Sequence, residues 1–186
     1  MTAMTAAPGL PQSRPLTAAD LETMPDDGHR YELIDGALIV TPSPAVAHQR
    51  AVGNLYLLLR AGCPDDLEVM LAPLDITVSD ITVLQPDLLV APRTTLSGRK
   101  MVGLPVLAVE VLSPSTRLID LNLKRAAFER AGVASYWVVD PEVPALTAWQ
   151  LVEGRYAEVA VATGEETVRL DLPFPVAAMT GTSKGS

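Results

Sequence analysis

A glutamate interrupts an otherwise apolar run, Val106-Leu107-Ala108-Val109-Glu110-Val111-Leu112. Such a run reads as a central strand buried on both faces. A carboxylate left unpaired there is heavily penalised, so Glu110 needs a cation, a proton or a metal. Asp87 makes the same demand just ahead of Leu88-Leu89-Val90, with Pro86 favouring an extended start. Two carboxylates entering a core from neighbouring strands repel each other, and a shared divalent cation removes the repulsion. The competing reading is an ordinary salt bridge or, for Asp87, a strand end. Lys124 stands three residues after Leu121 and four before Phe128, so on a helix it shares their apolar face. A snorkelling lysine would do the same, its stem packed and its head in water; beside two buried carboxylates the position also suits a catalytic cation. Glu32 lies within Arg30-Tyr31-Glu32-Leu33-Ile34, and His48, four residues before Val52, continues the apolar stripe of its helix. A lone histidine there is ordinarily a satisfied core residue. His29 precedes the strand and should be exposed.

The elements that would position these groups are readable in order. Residues 17–24 form a short helix with Thr17 at its N-cap. Strands over 30–34 and 37–41 are joined by Asp35-Gly36, a strong two-residue hairpin signal. Ser43-Pro44 should open a helix running to about residue 61, with Ser as cap, Pro at its first position, and Val52, Leu55 and Leu59 as its stripe. Residues 68–71 and 74–78 read as a second hairpin, followed by a strand over 87–91, a loop holding Ser97, Gly98, Arg99 and Lys100, and the central strand 106–112. A helix starts between 115 and 120 and stops at Gly132 as C-cap. A buried strand over 136–139 and a closing hairpin, 146–151 with 156–161 around Glu153-Gly154, complete the order. The pattern is α/β, a mixed central sheet flanked by helices rather than a regular doubly wound fold.

The chain has 186 residues, 48% of them hydrophobic and 19% charged, which is globular composition. One domain is expected over 16–178, with loose tails over 1–15 and 179–186. No apolar stretch approaches a membrane span, and the first residues lack the pattern of a secretory signal. Cys63 is the lone cysteine, so no internal disulfide can form and a cytoplasmic location is expected. The formal net charge of -8 argues against loose electrostatic binding of nucleic acid. Residues 93–130 nevertheless carry seven basic and three acidic side chains, a local excess of +4. That segment is either a solvated helix face or a phosphate-binding surface.

An ordered series of pieces resembles a known family. It begins with Tyr31-Glu32-Leu33-Ile34-Asp35-Gly36, then His48 in the following helix and Pro86-Asp87-Leu88. It continues with Val109-Glu110-Val111-Leu112-Ser113-Pro114-Ser115, Lys124, and Gly132-Val133 leading into Tyr136-Trp137-Val138-Val139-Asp140-Pro141. Over roughly residues 17–160 this is similar to the Uma-type (Uma-two) endonucleases of the PD-(D/E)XK nuclease superfamily, with its restriction-endonuclease-like fold. The resemblance implies metal-dependent hydrolysis of DNA phosphodiester bonds. By it, Asp87 and Glu110 would bind Mg²⁺ (or Mn²⁺), with the backbone carbonyl of Val111 as a further ligand. Lys124 would orient the attacking water or stabilise the developing negative charge. Glu32 would bind a second metal or hold the water network, and His48 would be accessory. One position departs from the superfamily triad: Leu112 stands where a lysine is usual, and in the family resembled the lysine comes from the next helix, where Lys124 lies. Two strands must be cut in a duplex, which favours a homodimer. Two other readings stay open, a degenerate nuclease fold kept as a binding module and a hydrolase of small phosphodiesters or nucleotides; the acidic total charge suits the latter.

Overall fold

The computed structural model describes residues 13–98 and 100–179. Arg99 and most of the two expected tails lie outside the described residues. Thr17 caps a single turn, α1 (Ala18–Leu21), where the Asp20 carboxylate accepts from both the Thr17 amide and its hydroxyl. β1 (Arg30–Ile34) and β2 (Ala37–Thr41) pair antiparallel across Asp35-Gly36. Both turn residues have positive φ, 51° and 81°, as a type I′ turn requires.

The second helix, α2 (Val46–Gly62), begins later than Ser43-Pro44 suggests. The prolines at 42 and 44 hold the chain extended. The Ser43 hydroxyl donates to the Gly28 carbonyl instead of capping the helix, and the first helical hydrogen bond runs from Gln49 to Ala45. A larger correction concerns the next two strands. β3 (Leu67–Leu71) and β4 (Ile76–Ser79) do not form a hairpin but lie in different sheets. β4 turns at Asp80-Ile81 into β5 (Thr82–Leu84), a strand the sequence reading did not separate, while β3 pairs with β6 (Leu88–Pro92). Alternating apolar residues show that a segment is a strand, not which strand it joins. The expected loop at 97–100 is a small ribbon of β7 (Leu96–Ser97) and β8 (Lys100–Met101).

β9 (Leu107–Val111) is fully buried. A π-helical stretch, Ile119–Lys124, then runs directly into α3 (Arg125–Ala131), which ends at Gly132 with φ 89°. β10 (Ser135–Asp140), β11 (Ala145–Val152) and β12 (Arg155–Thr163) follow, and a further ribbon pairs β13 (Thr167–Leu170) with β14 (Val176–Met179).

Six strands form the mixed central sheet in the order β12-β11-β10-β9-β6-β3, in which only β9 and β10 are parallel. A second, antiparallel sheet has the order β2-β1-β5-β4. Side chains alternate along β9. Leu107, Val109 and Val111 join Leu55 and Leu59 of α2 in one apolar cluster. Ala108 and Leu112 join Phe128 of α3 and Ile34, Ile76 and Leu84 of the smaller sheet in another. Glu110 shares the parity of Ala108 and Leu112, so it points toward α3 and the smaller sheet.

Candidate active site

Strand pairing brings the two carboxylates of the sequence reading together. Leu88 lies opposite Val109, which sets Asp87 beside the carboxyl end of β9. Asp87 is only 4% exposed, and three groups converge on its carboxylate. Arg30 Nη1 donates to its Oδ1 at 2.9 Å, and the Val111 amide donates to Oδ2 at 2.8 Å. His48 Nε2 lies 3.1 Å from Oδ2. Burial alone would push its carboxyl up, but the His48 bond, the Arg30 charge and the Val111 amide outweigh it and hold the group below the usual carboxylate range.

Glu110, 1% exposed, is in the opposite state. Its Oε1 accepts from Lys124 Nζ at 3.1 Å, and the same ammonium lies 2.9 Å from Glu32 Oε1 and 3.7 Å from Asp120 Oδ1. Burial drives the Glu110 carboxyl well above its ordinary value; Lys124 opposes the shift, and the charges of Asp120, Asp87 and Glu32 add to it. Asp120 is pushed up to about 6, again by burial first. Burial pulls the ammonium of Lys124, 3% exposed, toward a lower pKa, but the charges of Glu110, Glu32 and Asp120 outweigh it and hold the group above its ordinary value.

Each group reaches this point for a local reason. On β1, period-two alternation puts Arg30 and Glu32 on one face, and the Glu32 Oε1 that meets Lys124 also accepts from the Gln85 amide at 2.7 Å. Asp120 and Lys124 are four residues apart in a π-helical turn, a spacing that keeps both side chains on one side. The Tyr136 hydroxyl donates to the Asp120 carbonyl at 2.8 Å, tying that turn to β10. His48 comes from the first turns of α2. Leu112, where a strand lysine would stand, is 4% exposed in the apolar cluster, and the cation arrives from the helix instead.

Asp87, Glu110, Lys124, Glu32, His48 and Val111, all named from the sequence, lie together in the structure. Two members were missed. Arg30 sits two residues before Glu32 and Asp120 four before Lys124, spacings that the strand and helix periods could have flagged. A cleft of about 170 Å³ opens on the cluster, lined among others by Arg30, His48, Asp87, Glu110, Val111 and Lys124. Glu32 Oε2 and His48 Nδ1 are buried without a hydrogen-bond partner among the described residues.

If every carboxyl were ionised, Asp87, Glu110, Glu32 and Asp120 would face only two permanent cations, Arg30 and Lys124. A site with that excess of negative charge takes up protons or a further cation. All its acidic donors are hard oxygens, which suits Mg²⁺ or Mn²⁺. The Val111 carbonyl shares a strand edge with its amide, and that amide donates to Asp87. Among the described residues no three His, Cys, Asp or Glu side chains converge as a ready-made metal shell. Magnesium ordinarily takes one or two carboxylates and completes its shell with water, so Asp87, Glu110 and the Val111 carbonyl fit it.

No curated protein matches this sequence. A crystal structure described as a putative nuclease belonging to DUF820, from Anabaena variabilis, is similar with a TM-score of 0.72 at 17% identity, covering 86% of this chain and 90% of that one. This likeness is one of fold, the restriction-endonuclease-like arrangement of a mixed sheet and helices. The profile of the family described as "Uma2: Putative restriction endonuclease" matches residues 18–180. By that match the chain belongs to the Uma2 family of restriction-endonuclease-like nucleases.

Proposed function

We propose that this protein is a metal-dependent endonuclease that hydrolyses DNA phosphodiester bonds in the cytoplasm. The observation that carries the reading is the surplus of carboxylates over cations around one cleft. Asp87 and Glu110 would hold Mg²⁺ (or Mn²⁺), with the Val111 carbonyl as a third oxygen. When bound, the metal lowers the pKa of a coordinated water and neutralises charge on the phosphate.

The chain's own groups do the rest. Arg30, His48 and the Val111 amide keep Asp87 ionised and fix its orientation. Lys124 draws Glu32 and Glu110 onto one ammonium and so sets where the Glu110 carboxylate points. Lining the cleft, it would orient the attacking water. Glu32 Oε2, buried and unpartnered, is the free acceptor that would hold a second water or metal. A homodimer would supply the two sites that a double-strand cut needs. Among the described residues no helix is long and apolar enough to cross a membrane.

The test is cleavage of supercoiled, linear and single-stranded DNA, and of small phosphodiesters, with Mg²⁺ or Mn²⁺. Asp87→Ala and Glu110→Ala should each abolish cleavage while leaving a cooperative melt. Full activity in either purified variant would sink the reading, and cleavage of the small esters alone would replace DNA as the substrate.

A further inference from the structure

Two cations line the cleft, Arg30 and Lys124, and they differ in how far each is enclosed. The Lys124 side chain is 4% exposed and its ammonium is enclosed by Glu32, Glu110 and Asp120. Arg30 differs. Its side chain is 20% exposed, and a single nitrogen, Nη1, makes both of its protein contacts, to Asp87 Oδ1 at 2.9 Å and to the Gln85 carbonyl at 3.1 Å. Nη2 and Nε have no hydrogen-bond partner among the described residues, yet they are not among the atoms sealed from solvent, as Glu32 Oε2 and His48 Nδ1 are. The guanidinium is therefore anchored at one corner, and its remaining N–H groups are open to solvent on a residue that lines the cleft.

A planar fork with adjacent free donors matches the non-bridging oxygens of a phosphodiester, and its charge persists at any working pH. Asp87 and Gln85 hold the group in place, so little side-chain freedom is lost when an anion docks. Resting on the reading that this cleft takes a phosphodiester, we propose that Arg30 is its phosphate-contacting residue, donating through Nη2 and Nε to the non-bridging oxygens beside Asp87. Lys124 then serves the carboxylates and the water, and the two cations divide the work.

The experiment uses the full chain in EDTA and a fluorescent single-stranded oligonucleotide of mixed sequence, with Kd read by anisotropy across a salt series. Arg30→Gln should raise Kd about 10- to 100-fold, the usual loss for hydrogen bonds to a charged group. It should also reduce the slope of log Kd against log salt by about 0.7, the signature of one lost contact to a single strand. A residue that merely orients Asp87 would leave that slope untouched. Unchanged Kd and slope, or no binding by the unsubstituted protein, overturns the proposal. If Arg30→Gln does not fold, Arg30→Lys decides, since it keeps a cation beside Asp87 but loses the fork. A severalfold rise in Kd is expected, and an unchanged Kd overturns the assignment. Adding Mg²⁺ separates the two ideas. Binding that depends on Arg30 without any cleavage removes the hydrolytic reading alone, and cleavage with Arg30-independent binding removes the phosphate contact alone.

Discussion

Asp87 and Glu110 are neighbouring carboxylates, almost equally buried, yet their surroundings push them in opposite directions. Asp87 meets a guanidinium, an imidazole nitrogen and a backbone amide, and is held ionised. Glu110 shares one ammonium with two other carboxylates and is driven toward its protonated form. The difference lies in the ratio of donors to acceptors around each group, not in depth of burial. It marks Asp87 as the carboxylate already held ionised and Glu110 as the one with the larger unmet need for positive charge.

The sharpest way to break this contrast is to remove the cation that Glu110 shares. Lys124→Met should cost about 3–5 kcal/mol, because the carboxylates it neutralised stay buried. Adding Glu110→Gln in that background should restore more than half of the loss in urea unfolding at pH 7. Simple additivity of the two changes would show that Lys124 is packed rather than paired.

Asp120 offers a second probe through pH. Its carboxyl, raised to about 6 when folded, sits near 3.9 in an unfolded chain. The stabilising contribution is therefore present below about 3.9 and is lost as pH rises through about 6, on the order of 3 kcal/mol. Asp120→Asn should flatten that decline when Tm is followed from acid to neutral pH. Asp87, shifted down, works with the reverse sign: its contribution is present above about 3.9 and disappears only as pH falls through its lower native value. A variant whose Tm falls as steeply as the parent's would remove Asp120 from the charge balance.

The smallest effect is the most direct comparison. Asp87→Asn turns an amide toward donors that need an acceptor and should cost about 2 kcal/mol. Glu110→Gln relieves a crowded carboxylate, so stability at pH 7 should hold or rise. Equal losses in denaturant titrations of the two would erase the distinction drawn between them.

Local signals in the sequence carried far. Asp35-Gly36 and Glu153-Gly154 specify their turns through positive φ, and both hairpins lie where those pairs place them. The run around Glu110 names a central strand because only such a strand is apolar on both faces. What remained hidden was non-local. Val69 pairs with Val90 rather than with β4, and nothing within either segment encodes that choice. Asp80-Ile81 carries no glycine or asparagine to announce a turn, so β5 was not separated from its neighbours. In the site, Glu110 and Asp87 were visible as polar residues in apolar company. Arg30, at a strand entrance among polar neighbours, gave no such contrast until the two sheets met around it. Asp120 was hidden for a different reason: its burial depends on a widened helical turn that no residue preference announces.

That widened turn sets how the protein can fail. With Leu112 in the apolar cluster and the ammonium on the helix, Glu110 and Glu32 come from the two sheets and the lysine that pairs with both comes from a separate, shorter element. The two halves of the charge balance thus belong to parts of the chain that can come apart independently. Fraying of residues 119–124 would withdraw the lysine while the sheet stood intact, leaving a well-formed scaffold around mutually repelling acids. How much negative charge this cleft carries is thus a property of how the helix docks.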